Sequence, residues 1–123
     1  MKVDLTDHFE RQLDDIEHYL RAESAPQAFD ALLGELIDTV VPNLERFPGM
    51  GQLFLQRPLL SVEARVAAEH VQAQLRTLEP DAQLREYILR SHLVLYAHTG
   101  RMVWLLAIRH QRQHFDTVWP SNG

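Results

Sequence analysis

The chain of 123 residues contains no cysteine and a single lysine, Lys2. Without cysteine there are no disulfides, thiolate metal ligands or thiol nucleophiles, and a reducing, cytoplasmic setting is the expectation. Long apolar runs are missing too. The longest, Met102 to Ile108, falls far short of the roughly 20 residues that span a bilayer, and the opening MKVDLTDHFERQ has no apolar core of a secretory leader, so no membrane role is expected. No Gly-rich phosphate loop, Ser-centred nucleophile elbow or EF-hand spacing occurs, which leaves nucleotide hydrolysis, ester hydrolysis and calcium sensing without motif support. No run of Pro, Gly and Ser is long enough to join two domains, so residues 1–123 read as one domain around one core.

Charge is present but unevenly placed. The formal net charge is −5 and the pI about 5.7, which lowers the expectation of sequence-blind binding to duplex DNA and leaves local nucleic-acid contact open. Residues 1–50 hold 4 Lys+Arg against 11 Asp+Glu, a formal −7, whereas residues 83–123 hold 5 Arg against 2 acids, a formal +3. A basic C-terminal part suits an anionic or acidic partner, while the acidic N-terminal part stays solvated.

Apolar periodicity orders the elements. Lys2–Leu5 is a short candidate strand, and Thr6 or Asp7 caps a helix whose stripe is Phe9, Leu13, Ile16 and Leu20, with Asp7 and Glu10 at capping-box spacing. Ser24 with Gln27 and Pro26 predicts the start of a second helix. Its stripe is Ala28, Phe29, Leu32, Leu33, Leu36, Ile37 and Val40, and Pro42 is expected to end it. Asn43 to Gly51 reads as a turn-rich connector with Leu44 and Phe47 turned inward, and Leu53–Leu55 as a short strand limited by Pro58. Ser61 then caps a thinner helical pattern reaching about Leu78. Strand patterns follow at Leu84–Leu89, Leu93–His98 and Arg101–Ile108, with Thr99-Gly100 as the hairpin turn; the last run lacks alternation and predicts a central strand covered on both faces.

Four of the seven histidines (His92, His98, His110, His114) lie in the last third, among Arg85, Arg90, Arg101, Arg109 and Arg112. If Ile108 faces the core, Arg109 faces away, and His110 with Arg112 gathers where the chain leaves the sheet. Arg carries a donor fork suited to phosphate or carboxylate, and His or Tyr96 is able to move a proton. An RNA-cleaving centre and a purely binding surface draw on the same residue types. His110-x-x-x-His114 has the spacing of a helical zinc pair, but with neither Cys nor an HExxH glutamate no metal site and no cofactor are expected.

The ordered set Phe9-x-x-x-Leu13-x-x-Ile16-x-x-Tyr19-Leu20, Ala28, Leu44-x-x-Phe47-Pro48-x-x-Gly51, Leu84-Arg-Glu-Tyr87, Leu93-Val-Leu-Tyr96 and Leu105-Leu-Ala-Ile-Arg-His-Gln-Arg-Gln113 resembles the RelE/ParE toxin superfamily, specifically its ParE-like, plasmid-stabilisation branch. The resemblance runs from about residue 5 to 116 and departs at 54–82, where a helical insertion is expected. It implies an α/β (α+β) fold: an N-terminal helical hairpin packed on a small, mostly antiparallel sheet, with an extra inserted helix. It also implies the toxin of a bacterial type II toxin–antitoxin system, with a cognate antitoxin as partner and DNA gyrase as target. The alternatives are a ribosome-dependent mRNA endonuclease and a non-toxic binding module. The single lysine and acidic total weigh against entry into the ribosome, so a binding toxin rather than an enzyme is the expectation. The implied target-binding or catalytic positions are Arg85, Tyr96, Arg109, His110 and Arg112.

Overall fold

The computed structural model describes residues 1–53 and 62–110. In chain order the elements are β1 (Lys2–Leu5), α1 (Asp7–Ala22), α2 (Pro26–Glu35), a π-helical turn (Leu36–Val40), α3 (Val41–Arg46), β2 (Gln52–Leu53), α4 (Val62–Leu78), β3 (Gln83–Ile88), β4 (His92–His98) and β5 (Met102–His110). The strands form one sheet in the order β1-β5-β4-β3-β2. β1 runs parallel to β5 and every other pairing is antiparallel. The helical region packs on one face of this sheet and α4 is the extra inserted helix, so the α+β architecture expected from the sequence is the one observed.

Thr6, not Asp7, caps α1. Its hydroxyl accepts from the Phe9 N–H at 3.2 Å and donates to the Leu105 carbonyl at 3.0 Å, tying the helix start to the middle of β5. Asp7 is instead the first helical residue, so the Asp7–Glu10 capping box is replaced by a threonine cap with Phe9 at its third position. Phe9 is fully buried against the sheet, with Leu13 and Ile16 packed behind it.

Ser24 does not begin the second helix; it ends the first. Its φ is 57°, its N–H donates to Arg21 O at 3.1 Å, and the Ala25 N–H donates to Leu20 O at 2.8 Å. This is the Schellman arrangement with a serine where glycine is usual. Ala25 becomes the N-cap of α2 without a side-chain hydrogen bond, and Pro26 fills the first turn. A serine Cβ is strained in the left-handed region, so Ser24→Gly is expected to stabilise the fold by about 0.5–1 kcal/mol, read as a raised urea midpoint at unchanged m-value.

Pro42 was expected to stop the helix, yet α3 carries it to Arg46. Proline at this point lacks an N–H and clashes with the carbonyl four residues back. The preceding π turn widens the backbone, with Val41 N–H reaching Leu36 O, so the helix absorbs the proline instead of ending. The same shift keeps Leu32, Leu36, Val40 and Leu44 in the core while Ile37 and Phe47 are left exposed, Phe47 at 61%, and Ala28 lies on the solvent side. The inward Ala28, Ile37 and Phe47 expected from the pattern are therefore corrected.

β4 is buried from His92 to Ala97 and is the middle strand of the sheet. β5 is also internal, but Val103 and Leu105 are buried while Trp104 and Leu106 are only half-covered, so the expected two-sided burial holds only towards its end. A bulge sets this pattern: Leu95 faces Ala107 and Tyr96 faces Leu105, leaving Leu106 as the extra residue. The hairpin turn sits one residue later than expected. Thr99 N–H donates to Met102 O, and the Thr99 hydroxyl accepts from the N–H groups of Arg101 and Met102, making Gly100-Arg101 the central pair.

α4 rests on β3 through Gln72, whose side-chain oxygen accepts from Leu84 N–H, and through Arg76, which donates to Ala82 O. Val71 and Leu75 are half-buried, whereas Val62, Val66 and Leu78 are exposed. The expected Ser61 cap, and the strand expected beyond Leu53, fall outside the described residues.

Candidate functional site

Two polar clusters lie at opposite ends of β4. The first forms where the connector after α3 returns to the sheet. Register places Arg85 opposite Tyr96 and Gln83 opposite His98, so alternation gives all four side chains one face. A turn closed by Met50 N–H to Phe47 O then lays Pro48 and Gly51 over them. The Tyr96 hydroxyl donates to Pro48 O at 2.9 Å and accepts from Gly51 N–H at 2.9 Å, while its ring is fully buried. Arg85 donates through Nη1 to Gly51 O, through Nη2 to Gln83 Oε1 at 2.9 Å, and through Nε toward His98 Nε2 at 3.3 Å. Gly51 is required by this approach: a Cβ there would lie 2.5 Å from both Glu86 O and the Tyr96 hydroxyl.

Burial pushes the Tyr96 phenol up, against the opposing pull of the Gly51 N–H and the Arg85 charge, so it stays protonated at neutral pH. His98 is pushed down by burial and then by Arg85, and is neutral. The cluster therefore carries one cation, Arg85, whose three kinds of nitrogen all meet protein acceptors. Its hydrogen bonds clamp the connector to the sheet.

The second cluster stands four residues back along β4, roughly 13 Å away. His92 faces His110 across the β4/β5 ladder with ring centres 5.2 Å apart and planes at 77°. His92 is buried, its Nδ1 is 2.8 Å from Ser91 Oγ, and burial followed by the neighbouring His110 lowers its pKa to about 4. His110 is exposed at the strand end. Arg109 does face away from Ile108 as expected, but the opposite face is covered as well. Arg109 is 3% exposed, with Nη1 donating to His110 O at 3.0 Å, so the solvated Arg109 implied by alternation is corrected. Beside this end, a groove of about 530 Å³ is lined by residues of α2, the π turn and the β3–β4 turn, including Leu32, Glu35, Asp38 and Arg90.

The structure thus brings Arg85 and Tyr96 together, sends the Arg109 and His110 side chains to opposite faces at the far end of the sheet, and leaves Arg112 outside the described residues. Sequence reasoning passed over Gln83, His98 and the Pro48–Gly51 backbone as partners of Arg85 and Tyr96. The Pro48-x-x-Gly51 spacing was the available signal, since a glycine that closes a connector on a strand invites close backbone approach. His92 stands among the C-terminal histidines in the sequence, but its pairing with His110 is set by strand register and is not legible there. The helical His110–His114 zinc pair that the sequence disfavours cannot be followed here: His110 belongs to β5, and His114 lies outside the described residues. Among the described residues no group of three or more His, Cys, Asp or Glu side chains converges, and no helix is long and apolar enough to cross a membrane.

No curated protein matches the chain. The family model described as "ParE toxin of type II toxin-antitoxin system, parDE" matches residues 3–115, nearly its whole length. With the helical region over the mixed sheet, that match supports a single conclusion: this chain belongs to the ParE toxin family of type II toxin–antitoxin systems.

Proposed function

We propose that the chain is the toxin of such a pair and that it acts by binding, blocking replication through DNA gyrase, with an antitoxin as its cognate partner. Family membership supplies the toxin–antitoxin setting. The observation that carries the choice of binding over catalysis is the state of Tyr96. Its ring is fully buried, and its hydroxyl both donates to Pro48 O and accepts from Gly51 N–H. A general acid or base must reach the proton it transfers. Among the described residues the Tyr96 hydroxyl meets its own connector, His98 is neutral against Arg85, and His110 stands at the far end of the strand. The acidic net charge of −5 also disfavours the dense phosphate environment of a ribosome.

The test pairs two purified systems. The chain is expected to inhibit gyrase supercoiling and trap cleaved DNA, while leaving mRNA on programmed ribosomes intact. Cuts in ribosome-bound mRNA that fall ~100- to 10,000-fold in rate with Tyr96→Phe or His110→Gln would move the assignment to an endonuclease. Inactivity in both systems, with growth unaffected by abundant folded protein, would leave a non-toxic binding module.

A further inference from the structure

We propose that His92 and His110 form a two-histidine site for a borderline transition-metal ion such as Zn²⁺, Co²⁺ or Ni²⁺, completed by water. The carrying observation is geometric. With a metal–nitrogen bond of about 2.0 Å and the ring nitrogen about 1.2 Å from its ring centre, tetrahedral ligation sets two imidazole centres roughly 5.2 Å apart. The ring centres of His92 and His110 are 5.2 Å apart, held by direct pairing across β4 and β5. Their planes meet edge to face, so ligation requires the exposed His110 ring to turn about χ2, a motion that leaves its centre nearly in place.

The surroundings of His92 already have the form of a ligand's support. Ser91 Oγ stands 2.8 Å from His92 Nδ1, and ligation through Nε2 would use the tautomer in which Nδ1–H donates to that hydroxyl. Imidazole suits Zn²⁺, Co²⁺ and Ni²⁺ alike, and no thiolate is present to select softer ions. Two protein ligands without a third His, Cys, Asp or Glu among the described residues imply modest affinity and open coordination positions. The site lies on β4 at the end remote from Arg85 and Tyr96, and does not depend on the toxin assignment.

Co²⁺ titration of the untagged full chain at pH 7.5 tests the proposal, because tetrahedral cobalt has strong visible d–d absorption and octahedral aquo-cobalt does not. One equivalent is expected to bind with a dissociation constant on the order of micromolar. Zn²⁺ should displace it and raise the melting temperature. His110→Gln, at an exposed strand end, should fold normally and weaken binding at least tenfold, and His92→Gln should do the same. His114→Gln should bind like wild type. Retention of the cobalt spectrum in His110→Gln would overturn the proposal, as would its loss in His114→Gln with retention in His92→Gln. Absence of saturable binding by the wild-type chain would overturn it outright.

Discussion

Replacing Gly51 by alanine is expected to cost about 3 kcal/mol of stability, the upper range for forcing extra volume into a packed site. The added Cβ would meet Glu86 O and the Tyr96 hydroxyl at 2.5 Å and Tyr96 Cε1 at 2.8 Å. Neither neighbour has room to retreat. Glu86 O belongs to the backbone of β3, paired on both sides, and Tyr96 is fully enclosed by the core. The connector must lift instead, and with it go the Gly51 N–H to Tyr96 bond, the Arg85 bond to Gly51 O and the short β2–β3 pairing. Gly34→Ala provides the control, since nothing lies within 4 Å of its added Cβ and a helix interior favours alanine by roughly 0.5–1 kcal/mol. Urea unfolding of both variants measures the contrast. A Gly51→Ala midpoint equal to wild type would show that the connector is not clamped as described.

Acidification should weaken the fold in a window set by His92. Folded His92 has its pKa lowered from 6.5 to about 4, so between these values the unfolded chain binds a proton that the folded chain refuses. Stability is therefore level above about pH 7, declines as the pH falls through 6.5 towards 4, and flattens below that. A displacement of this size corresponds to at most about 3 kcal/mol across the window. His98, also pushed down by burial and Arg85, adds in the same direction. Denaturation at pH 7.5 and pH 4.5 reads the loss, and His92→Gln isolates its source by flattening the difference. An equal pH dependence in wild type and His92→Gln would assign the decline to other groups.

The amphipathic stripe of α1, the order of three C-terminal strands and the extra helix were all legible in the chain. Each rests on a local repeat: Phe9, Leu13 and Ile16 recur on a helical period, and Leu93 to His98 and Met102 to Ile108 are short apolar runs on either side of a glycine turn. Where local signals competed, neighbours decided. Ser24 has the chemistry of an N-cap, but Leu20 and Arg21 carbonyls needed closing first, and their two hydrogen bonds drew it into the left-handed region. Pro42 has the chemistry of a helix stop, but continuing to Arg46 buries Leu44, and the π turn makes room for the ring.

The candidate site divides in the same way. By itself the sequence carried the resemblance to the family, in an ordered set of motifs closing on Ile108-Arg-His-Gln-Arg112, and it determined that basic and imidazole side chains crowd the last third. Only the tertiary structure decided which of them meet. Arg85 and Tyr96 are 11 positions apart in the chain yet adjacent through antiparallel register, whereas Arg109 and Tyr96, equally within the sheet, face opposite sides because of strand alternation and the bulge at Leu106. His92 and His110 are paired by that ladder across 18 positions. Burial was likewise invisible from composition: an arginine at a strand end is usually solvated, but Arg109 lies on a sheet face that the rest of the fold covers. Periodicity is a property of neighbouring residues and survives in one dimension, while register and coverage belong to pairs of distant segments and exist only once the chain has folded.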